Sequence, residues 1–232
     1  MALPVWVRST KWKPASPGGG SGGFPVECPD TGELGHGKPT RVAQEVLAAR
    51  IAREIGVTVP ETVLGTCEDQ MIAVSKLFGA KSLDVPTLGR VSPADYGSDS
   101  FAAALRAGSA LLPFHAWLGT EDLKDEHVLV CPGPSEGTFE VASIDFAIGA
   151  FVFPNPVAVP PGPPCLVNNR DAAAMLRTID RMEGIADERI RGLVESLPEE
   201  LLSTSEKRRV SEGLIHRRGE VRQAFTSAGW LQ

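Results

Sequence analysis

The sequence predicts an α+β fold in two parts, a strand-rich first third around one main helix and a mostly helical remainder. Three observations carry this. Residues 24–28, 34–38, 57–65 and 70–78 are short apolar runs bounded by turn signals, as strands are. Val42, Val46, Ala49, Ile51, Ala52 and Ile55 recur at helical spacing between them. The stretches 171–182, 187–197 and 205–225 then show the helical period one after another, each opening at or near an Asp or Ser. Strands first and helices after is an α+β order, and no internal repeat interrupts it.

Each element has a local reason. Residues 16–23 read SPGGGSGG, which is either a flexible tether or a loop whose bare backbone can approach a ligand. Asp30-Thr31-Gly32 is a turn signal between the first two strands. The helix over 42–55 is expected to take Thr40 as its N-cap and to stop at Gly56. Residues 79–100 are polar and rich in Pro, Gly and Asp, so the boundary between the parts is placed at their start, giving 1–80 and 81–232. Residues 101–117 read as an apolar helix interrupted by Pro113. Two further strands, 127–131 and 138–146, are joined by PGPSEG. The proline-rich stretch 153–164 must be extended, and Pro198 separates the last two helices.

Composition narrows the function. The chain has 232 residues, enough for one large domain or two lobes sharing a cleft. A net charge of −6 argues against a nucleic-acid binder. Cys28, Cys67, Cys131 and Cys165 show no C-x-x-C spacing, which speaks against structural zinc and suits a reducing compartment. No run approaches the ~20 apolar residues of a membrane span. The segment MALPVWVRSTKWK lacks the apolar stretch of a secretory leader, so a cytoplasmic protein is expected.

The chemistry-bearing residues lie in two acidic segments, 121–130 (EDLKDEHVLV) and 142–149 (ASIDFAIG). Each sets an Asp beside an apolar run. Two carboxylates at strand ends suit magnesium-assisted phosphoryl transfer, with one near the nucleophile and one on the metal. Upstream stand a glycine cluster, a lysine and a helical glutamate. Lys38 is the lone lysine between the glycines and the first helix. Asp145 ends the apolar run 141–144, where a charge is costly without a partner or a cleft.

Taken in order, the glycine cluster, Lys38, Glu45, Asp122 and the Ile144-Asp145-Phe146 run, with the segment GELGHGKPTRVAQEVLAARIAREIGVTVPETVLG, resemble the HipA-like kinases, themselves distantly similar to phosphatidylinositol kinases. The resemblance spans residues 18–202 and rests on order and spacing, since each motif is short. It implies a bilobal protein-kinase-like fold, a compact form with no separate N-terminal module, and a phosphotransferase using ATP and Mg²⁺.

Residue by residue, the resemblance implies that Ser21, Gly22 and Gly23 cover the phosphates. Lys38 holds them, and Glu45 aims Lys38. Met71, Leu77 and Phe78 frame the adenine, core packing being their other reading. Asp122 orients the acceptor hydroxyl, and Asp145 binds magnesium. His127 stands where such kinases place a metal-binding Asn. Imidazole is a poor ligand for a hard cation, so His127 acts through hydrogen bonding, or the site uses one metal, or turnover is lost; Asp125 could supply a carboxylate instead. Ala147 replaces the glycine of the protein-kinase motif. His115 and Trp117 are read as loop anchors, and the basic stretch 203–223 as a solvated face. The acceptor is a protein Ser or Thr, a small molecule or a lipid headgroup, the first being the one the resemblance favours. An inactive nucleotide-binding pseudokinase is the alternative. A bacterial toxin–antitoxin role with a cognate antitoxin partner is also implied by the resemblance.

Overall fold

The computed structural model describes residues 3–8, 22–76, 87–88, 91, 94, 98–120, 123–133, 135–136, 138–146, 150–153, 156–160 and 162–232. Its first part is an antiparallel sheet of β1 (Val7–Arg8), β2 (Phe24–Glu27), β3 (Leu34–Lys38), β4 (Thr62–Cys67) and β5 (Gln70–Lys76), in the order β1-β2-β3-β5-β4. The sheet begins earlier than the sequence suggested, because β1 pairs with β2. Trp6 N–H also donates to Thr66 O at 2.7 Å, and Thr66 N–H to Pro4 O at 3.0 Å, which brings the first segment round to β4 and curls the sheet upon itself.

The curl encloses a small core of Trp6, Val26, Cys28, Cys67, Ile72 and Val74. Three strand glycines make room for it. A Cβ at Gly65 would fall 2.4 Å from the Trp6 ring, one at Gly35 would fall 2.5 Å from Val74, and one at Gly37 would fall 2.9 Å from Val26. Side chains alternate along a strand, so in LGHGK the bare positions face this core, while Leu34, His36 and Lys38 face the other way. Trp6 is 2 % exposed. Trp6→Ala is therefore expected to cost ~3–5 kcal/mol, read as a lowered urea midpoint, with the loss confined to the first part in hydrogen exchange.

Helix α1 (Val42–Ile55) matches the predicted span. Its cap differs. Arg41, not Thr40, precedes the first turn in a left-handed conformation, and its carbonyl accepts from Gln44 and Glu45 N–H. Gly56 ends the helix at φ 65°, the conformation that glycine tolerates best. The expected strand over 57–65 starts only at Thr62. Residues before it face the second part instead, with Thr58 O accepting from Ser143 N–H at 3.3 Å. Glu68 and Asp69, both at positive φ, turn β4 tightly into β5.

The second part holds α2 (Ser98–Gly108), α3 (Leu111–Leu118), the hairpin β6 (Val128–Pro132) and β7 (Phe139–Ser143), then α4 (Pro164–Asn168), α5 (Ala172–Gly184), α6 (Asp187–Glu195) and α7 (Thr204–Ser227). The predicted helix over 101–117 is two helices, and Pro113 is not the break. It sits in the first turn of α3, where no intrahelical N–H is required, and the chain turns at Ser109 and Ala110. The expected extended stretch over 153–164 is irregular in its described residues, with Phe153 at φ 54° and Gly162 N–H donating to Pro160 O at 2.8 Å, and Pro164 opens α4. Asp171 caps α5 by accepting from Ala174 N–H at 2.8 Å, and Ser203 with Glu206 forms a capping box on α7.

Every residue of α3 is buried, and α7 packs on it. The basic stretch of α7 is not simply a solvated face. Arg217 is 2 % exposed and donates to Trp117 O at 3.2 Å and Ala116 O at 2.6 Å. These are carbonyls of the last turn of α3, and Ala116 O also accepts from the capping Gly119 N–H at 3.2 Å. Trp117 Nε1–H donates back to Leu214 O at 2.8 Å. Arg218 and Arg222 pair with Asp187, Asp180 and Glu183. Only part of the stretch, such as the ion-paired Arg208 and His216, faces solvent. Among the described residues no helix is long and apolar enough to cross a membrane. The proposed boundary at 80/81 lies outside the described residues.

Candidate active site

Lys38 is the last residue of β3, paired with Ala73 of β5, as the strand run over 34–38 led one to expect. Its side chain reaches α1. Nζ lies 2.9 Å from Glu45 Oε1 and 3.2 Å from Asp145 Oδ1. Glu45 is 3 % exposed and Lys38 8 %. Burial pushes the Glu45 carboxyl above its usual range, and the neighbouring Lys38 ammonium offsets part of that effect. A strand end, a helix and a loop of the second part thus converge on one buried ammonium.

Asp145 is held in place from both sides. Strand β7 ends at Ser143, and Ile144 N–H donates to His127 O at 2.8 Å, extending the hairpin by one step. Asp145 then turns sharply at φ 62°, a left-handed conformation that non-glycine residues adopt mainly where packing enforces it. The packing is visible. Phe146 meets Phe114 edge-on with ring centroids 5.8 Å apart and stacks on His115 at 5.4 Å. His115 Nε2 lies 2.7 Å from Ser143 Oγ. One imidazole therefore anchors the residue two before Asp145 and the residue after it.

His115 is 1 % exposed, and burial pushes its pKa down to about 3. The unfolded chain takes up a proton near pH 6.5 and the folded chain does not. The resulting stability is present above about pH 6.5 and is lost as pH falls toward 3, at about 1.4 kcal/mol per pH unit. Urea unfolding of His115→Phe between pH 7 and 4.5 is expected to show a shallower decline than the wild type.

The remaining sequence-predicted residues divide. Gly22 and Gly23 lead into β2, and the pairing of Phe24 with Gly37 brings them to the Lys38 end of the sheet. His127 closes a short 3₁₀ turn (Asp125–His127), with its backbone bonded beside Asp145. Met71 lies at the far end of β5 from Lys76, about 17 Å along the strand at ~3.3 Å per residue, and packs against the main core. Ser21, Leu77, Phe78 and Asp122 lie outside the described residues. The sequence reading passed over His36. Its signal was available, since a residue two before Lys38 in a strand shares its face.

As a magnesium site, the described residues supply one fitting donor. The Asp145 carboxylate is hard, about a quarter exposed and oriented by its turn. Magnesium commonly takes one or two carboxylates and completes its shell with phosphates and water, so this suffices. The His127 imidazole does not suit that cation.

A curled five-stranded sheet packed against a helical part is a kinase-like fold, of the kind seen in CtkA and HipA. Among solved structures, the chain is similar to the Helicobacter pylori proinflammatory kinase CtkA, with a TM-score of 0.67 and 16% identity over 95% of this chain and 96% of that one. It is also similar to a chain of the Shewanella oneidensis MR-1 toxin–antitoxin complex of HipA, HipB and operator DNA, with a TM-score of 0.51 and 13% identity over 83% of this chain and 60% of that one. At such identities the likeness is one of fold. No protein-family model and no curated protein matches the sequence.

Proposed function

We propose that the chain is an ATP- and magnesium-dependent phosphotransferase acting on an alcohol, with a protein Ser or Thr as acceptor. The observation that carries this is the placement of Lys38 between Glu45 and Asp145 within a kinase fold. Glu45 holds the ammonium at a fixed point, so Lys38 meets the α and β phosphates without reorganising. Gly22 and Gly23 offer backbone N–H groups with no side chain of their own to screen them. Asp145 would hold the magnesium, which when bound neutralises charge on the phosphates. Asp122 orients the acceptor hydroxyl and takes its proton. Positioning and charge neutralisation then supply most of the acceleration. Leu77 and Phe78 would border the adenine.

The acceptor and the partner are the finer parts of the proposal. A small molecule or a lipid headgroup would use the same machinery. The HipA structure contains a second protein, HipB, and a cognate partner for this chain follows by analogy alone.

A second reading, a nucleotide-binding pseudokinase, is favoured by His127 at the position for a metal-binding oxygen ligand. Incubation with labelled ATP and Mg²⁺, with casein as acceptor, separates the two. Phosphate transfer that is lost in Asp122→Ala supports the kinase. Nucleotide-dependent thermal stabilisation with no product supports the pseudokinase. Transfer that persists in both Asp122→Ala and Asp145→Ala overturns the site. A rate gain in His127→Asn would show that the native site is short of an oxygen ligand.

A further inference from the structure

His36 lies against Gly23 and within electrostatic reach of the Lys38 cluster. It lies on β3 two residues before Lys38, and the strand period puts both side chains on the face turned away from the Trp6 core. Its Nε2 sits directly against Gly23, where a Cβ would come within 2.1 Å of it. The imidazole fills the position that a side chain at 23 would take, so such a side chain would have to displace it. Both Lys38 and Asp145 act on the ring electrostatically. The residues paired with His36 across the sheet, Pro25 of β2 and Ser75 of β5, carry no charge. Glu45 of α1 stands behind Lys38.

We infer that His36 is a further phosphate-binding group of this cleft, one that holds a nucleotide's phosphates as an imidazolium and so couples nucleotide binding to uptake of a proton. The inference rests on the nucleotide-binding reading of the site. Without ligand the ring is partly buried beside an ammonium, and burial followed by Lys38 lowers its proton affinity. A polyphosphate under the glycine stretch reverses that balance. It places anionic oxygens beside the ring and occupies Lys38, so the cationic form becomes the favoured one. Gln at this position keeps the size and a donor but cannot take the charge.

The test is calorimetric titration of the whole chain with ADP and Mg²⁺ at pH 6 and pH 8, in two buffers of different ionisation enthalpy. Wild type is expected to bind about tenfold more tightly at pH 6 and to take up protons on binding. His36→Gln is expected to lose both the uptake and the pH 6 advantage while matching wild type at pH 8. Lys38→Met should bind weakly at both. With four histidines in the chain, the His36 ring, identified by its contact with Gly23, can also be followed by NMR in the wild type, independently of how the variant folds. Tight binding without proton uptake, equal in wild type and His36→Gln, or a ring resonance unmoved by ADP, overturns the role of His36 and leaves the nucleotide site standing. No ADP binding by wild type at either pH overturns the nucleotide reading and this inference with it.

Discussion

Asp145→Asn is expected to lower phosphate transfer by about a thousandfold while leaving the fold intact. The size follows from the role proposed for the carboxylate. A carboxylate that holds the metal across the phosphates contributes several kcal/mol to the transition state, and ~1.4 kcal/mol is a factor of ten. The intact fold follows from the backbone. Asp145 sits at φ 62°, and Asn is among the few side chains that accept that conformation as readily as Asp. Phe146 and Ser143 keep their contacts with His115 on either side. The ion pair with Lys38 is lost, but Lys38 keeps Glu45. The measurement is kcat/KM for labelled transfer beside a thermal melt. Wild-type transfer in a correctly folded Asp145→Asn would remove Asp145 from the mechanism.

Lys38→Met is expected to cost about 3–5 kcal/mol of stability at pH 8 and to abolish transfer. Removing one partner of a buried pair strands the other charge, and the penalty is larger than the worth of the pair itself. Here the stranded group is Glu45, which is 3 % exposed. Burial already raises its carboxyl pKa, and without Lys38 that effect is no longer offset. The sign is fixed by linkage. A carboxyl whose folded pKa is raised contributes stability below its unfolded value near 4.3, and that contribution is lost as pH rises through the folded value. The deficit of Lys38→Met should therefore shrink between pH 8 and pH 5.5 in urea unfolding. Adding Glu45→Leu should recover most of the stability and none of the activity. A Lys38→Met protein as stable as wild type at pH 8 would show that the pair is not desolvated in solution.

Much of the fold was legible. The span of α1 followed from an apolar period that its burial confirms, with Gly56 stopping it. The pairing of β2 with β3 followed from the turn residues at 30–32. Where the reading missed, a nonlocal contact had outweighed a local signal. Pro113 looked like a break, but the real turn at Ser109 and Ala110 follows from the packing of two separate helices. The basic run on α7 looked solvated, but Arg217 turns inward to the carbonyls that end α3, about a hundred residues earlier in the chain. Met71 stood near 77–78 in sequence, yet a strand is long for its residue count, and Met71 lies about 17 Å along β5 from Lys76.

Asp145 was marked in the sequence by a charge ending an apolar run, which is costly without a task, and Lys38 and Glu45 by their place in the order that resembles the HipA-like kinases. The spacing of strands and helices likewise set the order of elements, since periodicity is a local property of the chain. Only the tertiary structure decided that the three charges meet. It did so by curling the sheet around Trp6, turning the backbone at Asp145 and locking that turn with His115 and Phe146. It alone set His36 against Gly23 as well. Such meetings depend on contacts between residues far apart in the chain, and no local pattern encodes a distance between them.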